Sequence, residues 1–433
     1  MDRRSFLISS AALVAMPRVG QATAEPQVLR AMGFEQQILP TEFAGATRVL
    51  GFNGSTPGPE LRIKQGRQFD IRLQNDLDMG AAVHWHGIRL DNRMDGVPGM
   101  TQPLVVPGET FDYSFTPPDA GTYWYHSHYL SQEQVARGLM GALVIEEETP
   151  PDVDHDITAI LSDWKFDPEG QLIDDFDNLH DRAHAGRMGN FARAFLPDVT
   201  LKQGMRIRLR LINAAIDRIF PVILKGLSGQ VVALDGMPLA RPREMGMPVL
   251  APAQRVDVIA DVTGPVSLEM DHRAGAYPLG ALAVVGAITP RTAGISPLPA
   301  NRIPPAAKTA AQHLTLTMQG GAMGRGHGGE DIWAFNDMSG MQEAPFARFS
   351  RGETARISLV NDTRWPHGIH LHGHHFHELD ETGALGDFRD TTLVNPGESR
   401  DILCVFDNPG KWMLHCHMLS HQASGMMSWV EVA

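Results

Sequence analysis

The chain contains very little cysteine, because Cys404 and Cys416 are the only two among 433 residues. One disulfide is the most that they can form, so a fold held together by a disulfide framework is excluded. Hydrophobic residues make up 43% of the chain and charged residues 20%, which is an ordinary globular composition. Cys404 lies in a strand-like run, residues 400–406, and we predict that its thiol is buried and structural.

Basic residues are also in short supply: 37 lysines and arginines face 50 aspartates and glutamates, a net charge of −13 at pH 7. A chain of this sign is repelled by nucleic acid and by anionic lipid, so neither is expected as a partner. An acidic surface can attract cations, although most acidic surfaces are simply solvated.

The apolar run near the N-terminus, residues 8–16, is too short to cross a bilayer, which needs about 20 residues. It follows the arginine pair Arg3 and Arg4 and precedes a small-residue cleavage pattern of the A-x-A type at residues 22–24. This order predicts a twin-arginine signal peptide over residues 1–24. We therefore expect export to the periplasm and no membrane insertion once the signal is removed.

Three stretches of the chain share one pattern: a glycine, then eight residues of alternating strand pattern, then an asparagine. They are residues 66–75, 204–213 and 352–361. Alternation predicts a half-buried strand, and the glycine predicts a turn before it. Three copies at long and similar intervals predict three similar β domains, and short strands between frequent glycines and prolines predict sandwiches or barrels.

Proline-containing stretches mark the boundaries between these domains. We predict an all-β chain whose first domain covers residues 25–148 and whose second covers residues 149–290. A linker is predicted over residues 291–308, and a third domain over residues 309–433. The second copy of the repeat has no histidine pair after it, so the second domain is predicted to carry no metal ligands.

Two predictions concern local structure. A short helix is predicted at residues 132–139, with Ser131 and Gln134 forming a capping box at its start. Residues 167–193 show no clear period, and we predict a long surface loop or a short helical excursion there.

Histidines are concentrated in four His-x-His pairs. The pairs are His84 and His86, His126 and His128, His370 and His372, and His415 and His417. Successive side chains of a strand point to opposite faces, so both histidines of a pair on a strand face the same way. Two pairs follow the first repeat and two follow the third, at matching intervals. The four pairs can therefore converge only where the first and third domains meet.

Cys416 lies between the two histidines of the last pair, so on a strand it faces away from them. His421 and Met426 follow it. Cysteine, two histidines and a weakly bound methionine are the ligand set of a blue-copper electron-transfer site. The second histidine must come from elsewhere, and His367 is the natural partner. A metal-bound thiolate at Cys416 leaves no disulfide in the chain.

Together the motifs HWHG, HSH, HxxHxHG and HCHxxxHxxxGM resemble those of the multicopper oxidases, the family of laccases, bilirubin oxidases and cuprous oxidases. The resemblance covers the chain from about Leu29 to its end, and every copper-ligand position of the family motif is filled. It implies three cupredoxin-like Greek-key domains and four copper ions as cofactors: one type 1, one type 2 and two of type 3.

The resemblance also implies how the ligands are divided. His84 and His370 hold the type 2 copper. The type 3 pair is held by His86, His126, His128, His372, His415 and His417. The type 1 copper is held by His367, Cys416, His421 and Met426. Asp95 matches the family's D-G segment near the type 2 copper and is a candidate proton relay, the alternative being a turn aspartate before glycine. Some bacterial relatives have a glutamate where this chain has Gln422, which puts their second proton path in doubt here.

The implied reaction takes single electrons from a donor at the type 1 copper and reduces dioxygen to two waters at the other three. Cys416 is covalently next to two cluster ligands, which gives the electrons a short route. Three functions stay open: a laccase-like oxidase of phenols and aromatic amines, a Cu(I) oxidase for copper tolerance, and a non-enzymatic copper-binding or cell-division protein. The third is disfavoured because non-enzymatic relatives lose ligands. We expect a monomer that uses dioxygen and a small-molecule or Cu(I) donor.

Some residues near the motifs have less definite roles. His374 is predicted to lie just outside the ligand set, and Trp365 suggests an apolar rim for an aromatic donor. The segment 318–341 is rich in methionine and glycine, which favours either Cu(I) binding or flexible packing. Five histidines are predicted to be isolated and structural or exposed: His155, His180, His184, His272 and His313.

Overall fold

A computed structural model describes residues 26–307, 309–322 and 332–433. Within these residues the chain is built mainly of β-strands in five sheets, with three very short α-helices. None of those helices is long and apolar enough to span a membrane. The all-β prediction is therefore confirmed, whereas the predicted signal peptide, residues 1–24, lies outside the described residues.

The first unit of the chain forms two four-stranded sheets. Its strands are β1 (Gln27–Gln36), β2 (Thr47–Phe52), β3 (Leu61–Lys64), β4 (Phe69–Asn75), β5 (Val83–His86), β6 (Thr110–Phe115), β7 (Gly121–Ser127) and β8 (Met140–Glu146). The strand orders are β2-β1-β4-β6 and β3-β8-β7-β5. A 3₁₀ turn (Asn92–Met94) and α1 (Ser131–Gln134) lie in its connections. The chain passes between the two sheets, so some strands that are adjacent in a sheet, such as β1 and β4 or β3 and β8, are distant in sequence.

The second unit forms one nine-stranded sheet. Its strands are β9 (His155–Trp164), β10 (Phe191–Phe195), β11 (Thr200–Gln203), β12 (Arg206–Asn213), β13 (Phe220–Leu234), β14 (Met237–Glu244), β15 (Val249–Leu250), β16 (Arg255–Met270) and β17 (Tyr277–Ala287). Its main path is β10-β9-β12-β16-β13-β14. Helix α2 (Leu179–Ala183) interrupts the connection between β9 and β10.

The third unit repeats the two-sheet arrangement of the first. Its strands are β18 (Gln312–Gly320), β19 (Trp333–Phe335), β20 (Ala347–Phe349), β21 (Glu353–Asn361), β22 (His367–Leu371), β23 (Phe376–Leu379), β24 (Leu385–Arg389), β25 (Thr391–Val394), β26 (Ser399–Phe406), β27 (Gly410–Cys416) and β28 (Met427–Val432). The strand orders are β19-β18-β21-β26-β23-β24 and β20-β28-β27-β22-β25. Helix α3 (Leu419–Ala423) joins β27 to β28.

The three predicted repeats are confirmed as equivalent strands, β4, β12 and β21, each of which ends at a buried asparagine. Asn75, Asn213 and Asn361 each donate from Nδ2 to two backbone carbonyls, at 2.8 to 3.0 Å. Each also accepts the backbone N–H of the residue two positions on. The asparagine therefore fixes the turn after each strand, which explains why the pattern recurs.

Buried apolar side chains of the first and third units belong to one cluster, while most of the second unit has its own. Trp85 and Tyr125 contribute from the first unit, and Trp412 and Leu414 contribute from the third. Such a cluster removes apolar area from water and holds the two units together. The histidine-bearing strands are thereby kept side by side. Cys404 lies in the same cluster as a buried free thiol, as predicted.

The predicted capping box is wrong. Helix α1 is only one turn long, its N-cap is Leu130 in a left-handed conformation, and no side chain in the described ranges caps it. Gln134 instead accepts a hydrogen bond from the Ser127 hydroxyl at 2.5 Å and donates to the Gly80 carbonyl at 2.8 Å. Gln134 is thus buried against the loop before β5 and does not cap the helix. A local sequence pattern does not reveal this contact with a distant loop.

Residues 167–193 contain both an irregular loop and the short helix α2, so the predicted helical excursion is confirmed. Three successive backbone carbonyls at the end of α2 accept hydrogen bonds from the third unit. The Arg182 carbonyl bonds Trp333 Nε1 at 2.7 Å, and the Ala183 carbonyl bonds the Ala322 amide at 2.6 Å. The third is His184, described below. This segment is therefore docked on the third unit.

Candidate metal centre

Two antiparallel strand pairs carry the histidine pairs in matching positions. In the first unit, β5 pairs with β7 so that His84 lies opposite His126. In the third unit, β22 pairs with β27 so that His370 lies opposite His415. The first and third units thus present the same cross-strand arrangement to each other, which accounts for the equal spacing of their motifs in the sequence.

All eight paired histidines converge at the contact between the first and third units, and each is at most 9% exposed. The rings of His84 and His372 have centroids 4.0 Å apart, and those of His86 and His370 are 3.9 Å apart. Both contacts join a residue of the first unit to one of the third. The structure therefore brings the predicted ligands together, while their division among individual metal ions stays a prediction.

The ring nitrogens at this centre are arranged for metal binding. Nδ1–H groups of four histidines donate to backbone carbonyls at 2.7 to 2.9 Å, and these histidines are His84, His126, His370 and His415. Nε2 atoms of the first three are buried without a hydrogen-bond partner among the described residues. Burying unsatisfied nitrogens is costly. Because ligating histidines usually donate their other N–H to a carbonyl or carboxylate, the residues fit bound metal.

The protonation states at the centre also suit metal binding. Burial, together with the neighbouring imidazoles, lowers the pKa well below its usual value for six of the histidines. These are His86, His126, His128, His372, His415 and His417. Neutral imidazole is the form that binds a metal ion, so the fold keeps these ligands ready.

Asp95 lies inside this group of histidines and is fully buried. Its carboxylate Oδ2 is 2.9 Å from His372 Nδ1, and its backbone carbonyl accepts from His84 Nδ1 at 2.7 Å. The 3₁₀ turn (Asn92–Met94) ends at Asp95, which directs the residue between the two imidazoles. Asp95 therefore orients one histidine from each unit, and within the described part of the chain its Oδ1 has no hydrogen-bond partner.

A second buried carboxylate, Asp390, was missed by the sequence analysis. Its Oδ1 lies 3.2 Å from His86 Nε2, and its backbone carbonyl accepts from His370 Nδ1. Arg255 of the second unit forms two hydrogen bonds to it, at 2.9 and 2.6 Å. Burial is the largest single effect and opposes ionisation, but the Arg255 guanidinium together with His86 and His370 outweighs it and holds the pKa of Asp390 well below its usual range. No motif marks Asp390, because its partners come from three units.

The predicted type 1 residues meet on the opposite face of β27. Sγ of Cys416 lies 3.6 Å from His367 Nδ1 and 3.9 Å from His421 Nδ1, and the two nitrogens are 3.1 Å apart. Met426 is fully buried beside them, and its carbonyl accepts the Cys416 N–H. Three donor atoms this close fit one small ion.

Burial shifts the ionisation of this second group as well. It raises the pKa of the Cys416 thiol, lowers that of His367 and lowers the pKa of His421 to about 4. The histidines are thus neutral and ready to bind, whereas metal binding must displace the thiol proton. Thr363 accepts the His367 Nε2–H at 2.9 Å, which leaves Nδ1 free to face Cys416. Trp333 packs on the His421 ring at 4.3 Å.

His421 is covered by a segment of the second unit, which the sequence did not reveal. Its Nε2–H donates to the His184 carbonyl at 2.8 Å, and His421 has no exposed surface. The His184 ring packs edge-on against Trp365, with centroids 5.3 Å apart. The outer end of the predicted type 1 site is therefore formed by the residue that follows α2.

Other predicted residues lie as follows. His374 is buried, and its Nδ1 donates to the His372 carbonyl at 3.1 Å. Gln422 is buried on α3. Met318 is part of the hydrophobic core, so its sulfur packs against other buried side chains and is not available at the surface. Met323 and His327, which belong to the methionine-rich segment, fall outside the described residues.

Comparison with known proteins agrees with this geometry. Models of the multicopper oxidase family match residues 36–150, 158–267 and 305–433. Multicopper oxidase MmcO of Mycobacterium tuberculosis is 31% identical, over 87% of this chain and 82% of the relative. Laccase-1 of Botryotinia fuckeliana is 28% identical, over 87% of this chain and 77% of the relative.

Among solved structures, Lac15 from a marine microbial metagenome is 51% identical, with a TM-score of 0.82 over 94% of this chain and 100% of that chain. This likeness confirms the cupredoxin-like fold. Three matching family segments, a relative above 30% identity and the converging histidines point to one conclusion: the chain belongs to the multicopper oxidase family.

Proposed function

We propose that the protein is a laccase-like oxidase, which couples one-electron oxidation of phenols and aromatic amines to four-electron reduction of dioxygen to water. The observation that carries this proposal is the group of eight buried histidines between the first and third units, five of which have a ring nitrogen with no hydrogen-bond partner among the described residues. Four bound copper ions would supply one-electron redox chemistry and store the electrons that dioxygen needs. Side chains of the protein hold the copper ions, connect the two centres and deliver protons, as the next paragraphs describe.

We assign His84 and His370 to the type 2 copper and divide the six remaining histidines into two sets. His128, His372 and His415 form one set, because their ring nitrogens all lie within 4.8 Å of one another. His86, His126 and His417 form the other, with ring centroids 4.9 to 6.0 Å apart. Each set contains histidines of both units, so the pair of type 3 coppers would bridge the interface.

Cys416 connects the two centres. Strand β27 directs its thiol to His367 and His421, while His415 and His417 of the same strand turn to the histidine group. Cys416 is joined by a single peptide bond to His415 on one side and to His417 on the other. Electrons that arrive at the type 1 position therefore have a short bonded path to the place where dioxygen is reduced.

Protons are proposed to arrive by way of Asp95. It is the carboxylate that touches both His84 and His372, and one of its oxygens has no hydrogen-bond partner among the described residues. A carboxylate beside the reacting centre can pass protons through water. Asp390 is held ionised by Arg255 and is better suited to balancing metal charge and orienting His86.

For the donor, we propose approach along the partly exposed ring of Trp365, which lies against the residue that covers His421. An aromatic donor can stack on such a ring. Thr363 stands where cuprous-oxidase relatives carry an acid, and its hydroxyl is used to orient His367. These features and the likeness to a laccase favour phenols over Cu(I), which we keep as a weaker, parallel donor.

Three further properties belong to the proposal. We propose export by the twin-arginine route to the periplasm, action as a monomer, and the domain bounds 25–148, 149–290 and 309–433 with a linker at 291–308. A non-enzymatic copper-binding role is disfavoured because all the ligand positions are filled and buried.

Copper analysis and oxygen uptake test the proposal. We expect four coppers per chain, and one dioxygen consumed for every four one-electron oxidations of 2,6-dimethoxyphenol. Cys416→Ser serves as the inactive control. A fully loaded protein that consumes no dioxygen with any phenol, aromatic amine or Cu(I) donor would instead support the non-enzymatic role.

A further inference from the structure

His180 and His184 lie one helical turn apart on α2 and at its end, with ring centroids 4.1 Å apart and planes tilted by 32°. Residues four positions apart share one helix face, and two histidines at this spacing are a recurrent metal-binding pair. His180 is exposed and His184 is half-buried, so a small ion can reach them from solvent. His180 is exposed, as one of the two predicted alternatives had it, and the helical turn also brings the two rings together.

The orientation of the His184 ring is set by a hydrogen bond within the same segment. Its Nδ1–H donates to the His180 carbonyl at 2.8 Å, so the Nε2 lone pair of the neutral ring is left free. Metal-binding histidines are commonly oriented by this kind of bond on the second nitrogen. The ring is thus set in place before any ion binds, which reduces the entropy that binding costs.

The charges next to the pair largely balance each other. Asp177, whose side chain is 87% exposed, lies 3.7 Å from Arg182 Nη1. Arg182, the cationic residue between the two histidines, donates from Nε to the Ser424 hydroxyl at 2.8 Å on the third unit. Its guanidinium is therefore held against the third unit, and the net charge of the whole chain is −13.

The backbone of the same residue touches the predicted type 1 site. His184 accepts the Nε2–H of His421 through its carbonyl oxygen at 2.8 Å. The His184 imidazole is joined to this carbonyl by only Cβ and Cα. An electron leaving an ion on the His184 ring thus has a path of a few covalent bonds and one hydrogen bond to His421.

We propose that His180 and His184 form a surface site for Cu(I), from which the ion is oxidised through His184. This rests on the proposed oxidase function and gives the Cu(I) donor an entry point next to the one proposed for aromatic donors, because the His184 ring contacts Trp365. Imidazole nitrogen binds copper. Each ion loses one electron and becomes Cu(II). Four electrons and four protons convert one dioxygen to two waters, so charge and atoms balance.

Binding is tested separately from turnover. The copper-loaded protein is fully reduced without oxygen, so no electron can move, and is then titrated with Cu(I) against a chromogenic Cu(I) chelator. We expect one additional Cu(I) per chain. His180→Ala and His184→Ala should each weaken it at least tenfold, while His272→Ala, at an exposed histidine outside the site, should leave it unchanged. Equal binding in all four proteins would overturn the site.

Turnover supplies the second measurement. We expect His180→Ala to lower kcat/KM for Cu(I) at least tenfold and to leave kcat/KM for 2,6-dimethoxyphenol within twofold. A variant that binds no additional Cu(I) yet oxidises Cu(I) at the normal rate would refute the entry role. If the intact protein binds the additional Cu(I) but oxidises no donor, the oxidase proposal fails while the binding site stands, so the two failures are distinguishable.

Discussion

Replacing Asp95 with asparagine removes a negative charge from the histidine group while keeping the shape of the side chain. The amide oxygen can still accept the His372 N–H, now 2.9 Å from Oδ2, and the backbone bond to His84 is unaffected. Copper binding and folding should therefore survive. What asparagine cannot do is take up and release a proton, so the loss should fall on dioxygen reduction.

The expected loss in the rate of reoxidation by dioxygen follows from this geometry. A positioned acid or base contributes roughly 10²- to 10⁴-fold to a rate. Because the histidine contacts persist, we expect the lower end, about a 10²-fold slower reoxidation, which corresponds to about 2.7 kcal/mol of barrier. His367, Cys416 and His421 make no hydrogen bond to Asp95, so reduction of the type 1 site by the donor should change by less than about twofold.

Stopped-flow spectroscopy separates the two steps. Anaerobic mixing with 2,6-dimethoxyphenol measures reduction, and mixing the reduced protein with dioxygen measures reoxidation. Asp163→Asn is a matched control, because Asp163 is a buried carboxylate that binds Arg218 outside the histidine group. Unchanged reoxidation in Asp95→Asn would remove Asp95 from the mechanism, and equal slowing of both steps would make its role purely structural.

Four other outcomes are expected. Cys416→Ser should abolish the blue absorption and oxidase turnover but keep copper at the other three positions; an absorption spectrum that stays blue would contradict the type 1 assignment. Met426→Leu should raise the type 1 potential, because a sulfur donor that stabilises Cu(II) is lost, and redox titration measures this. Arg3 and Arg4 replaced together by lysine should trap precursor inside the cell; normal processing on an immunoblot would exclude twin-arginine export. In the metal-free protein, the unfolded chain takes up a proton on His421 below its ordinary pKa of about 6.5, whereas the folded chain does so only near 4. The free energy of unfolding should thus fall as the pH drops from about 6.5 to about 4, by roughly 3 kcal/mol for this residue. Denaturant unfolding at several pH values measures this change. A free energy that does not fall would mean that the His421 ring takes up protons in the folded protein.

Features encoded over short stretches were recovered from the sequence. The repeat ending in Asn75, Asn213 and Asn361 predicted three equivalent strands, because a strand pattern and its closing turn are local. The His-x-His spacing predicted which rings share a face, because alternation along a strand is a property of the backbone. Matching motifs in two units also implied that the histidines meet between them.

Local pattern was misleading where distant packing decided the structure. Gln134 looks like a capping residue but is buried against Ser127 and Gly80. Two other histidines, His180 and His184, lack any motif, yet a single turn of helix places their rings together.

The sequence by itself determined the family, the strands and the ligand types, because these depend on neighbouring residues and on strand geometry. Only the tertiary structure decided that Asp390 is held ionised by Arg255 of another unit, and that the carbonyl of His184 covers His421. Such contacts join residues more than a hundred positions apart. They depend on how whole units pack, and no short stretch of sequence carries that information.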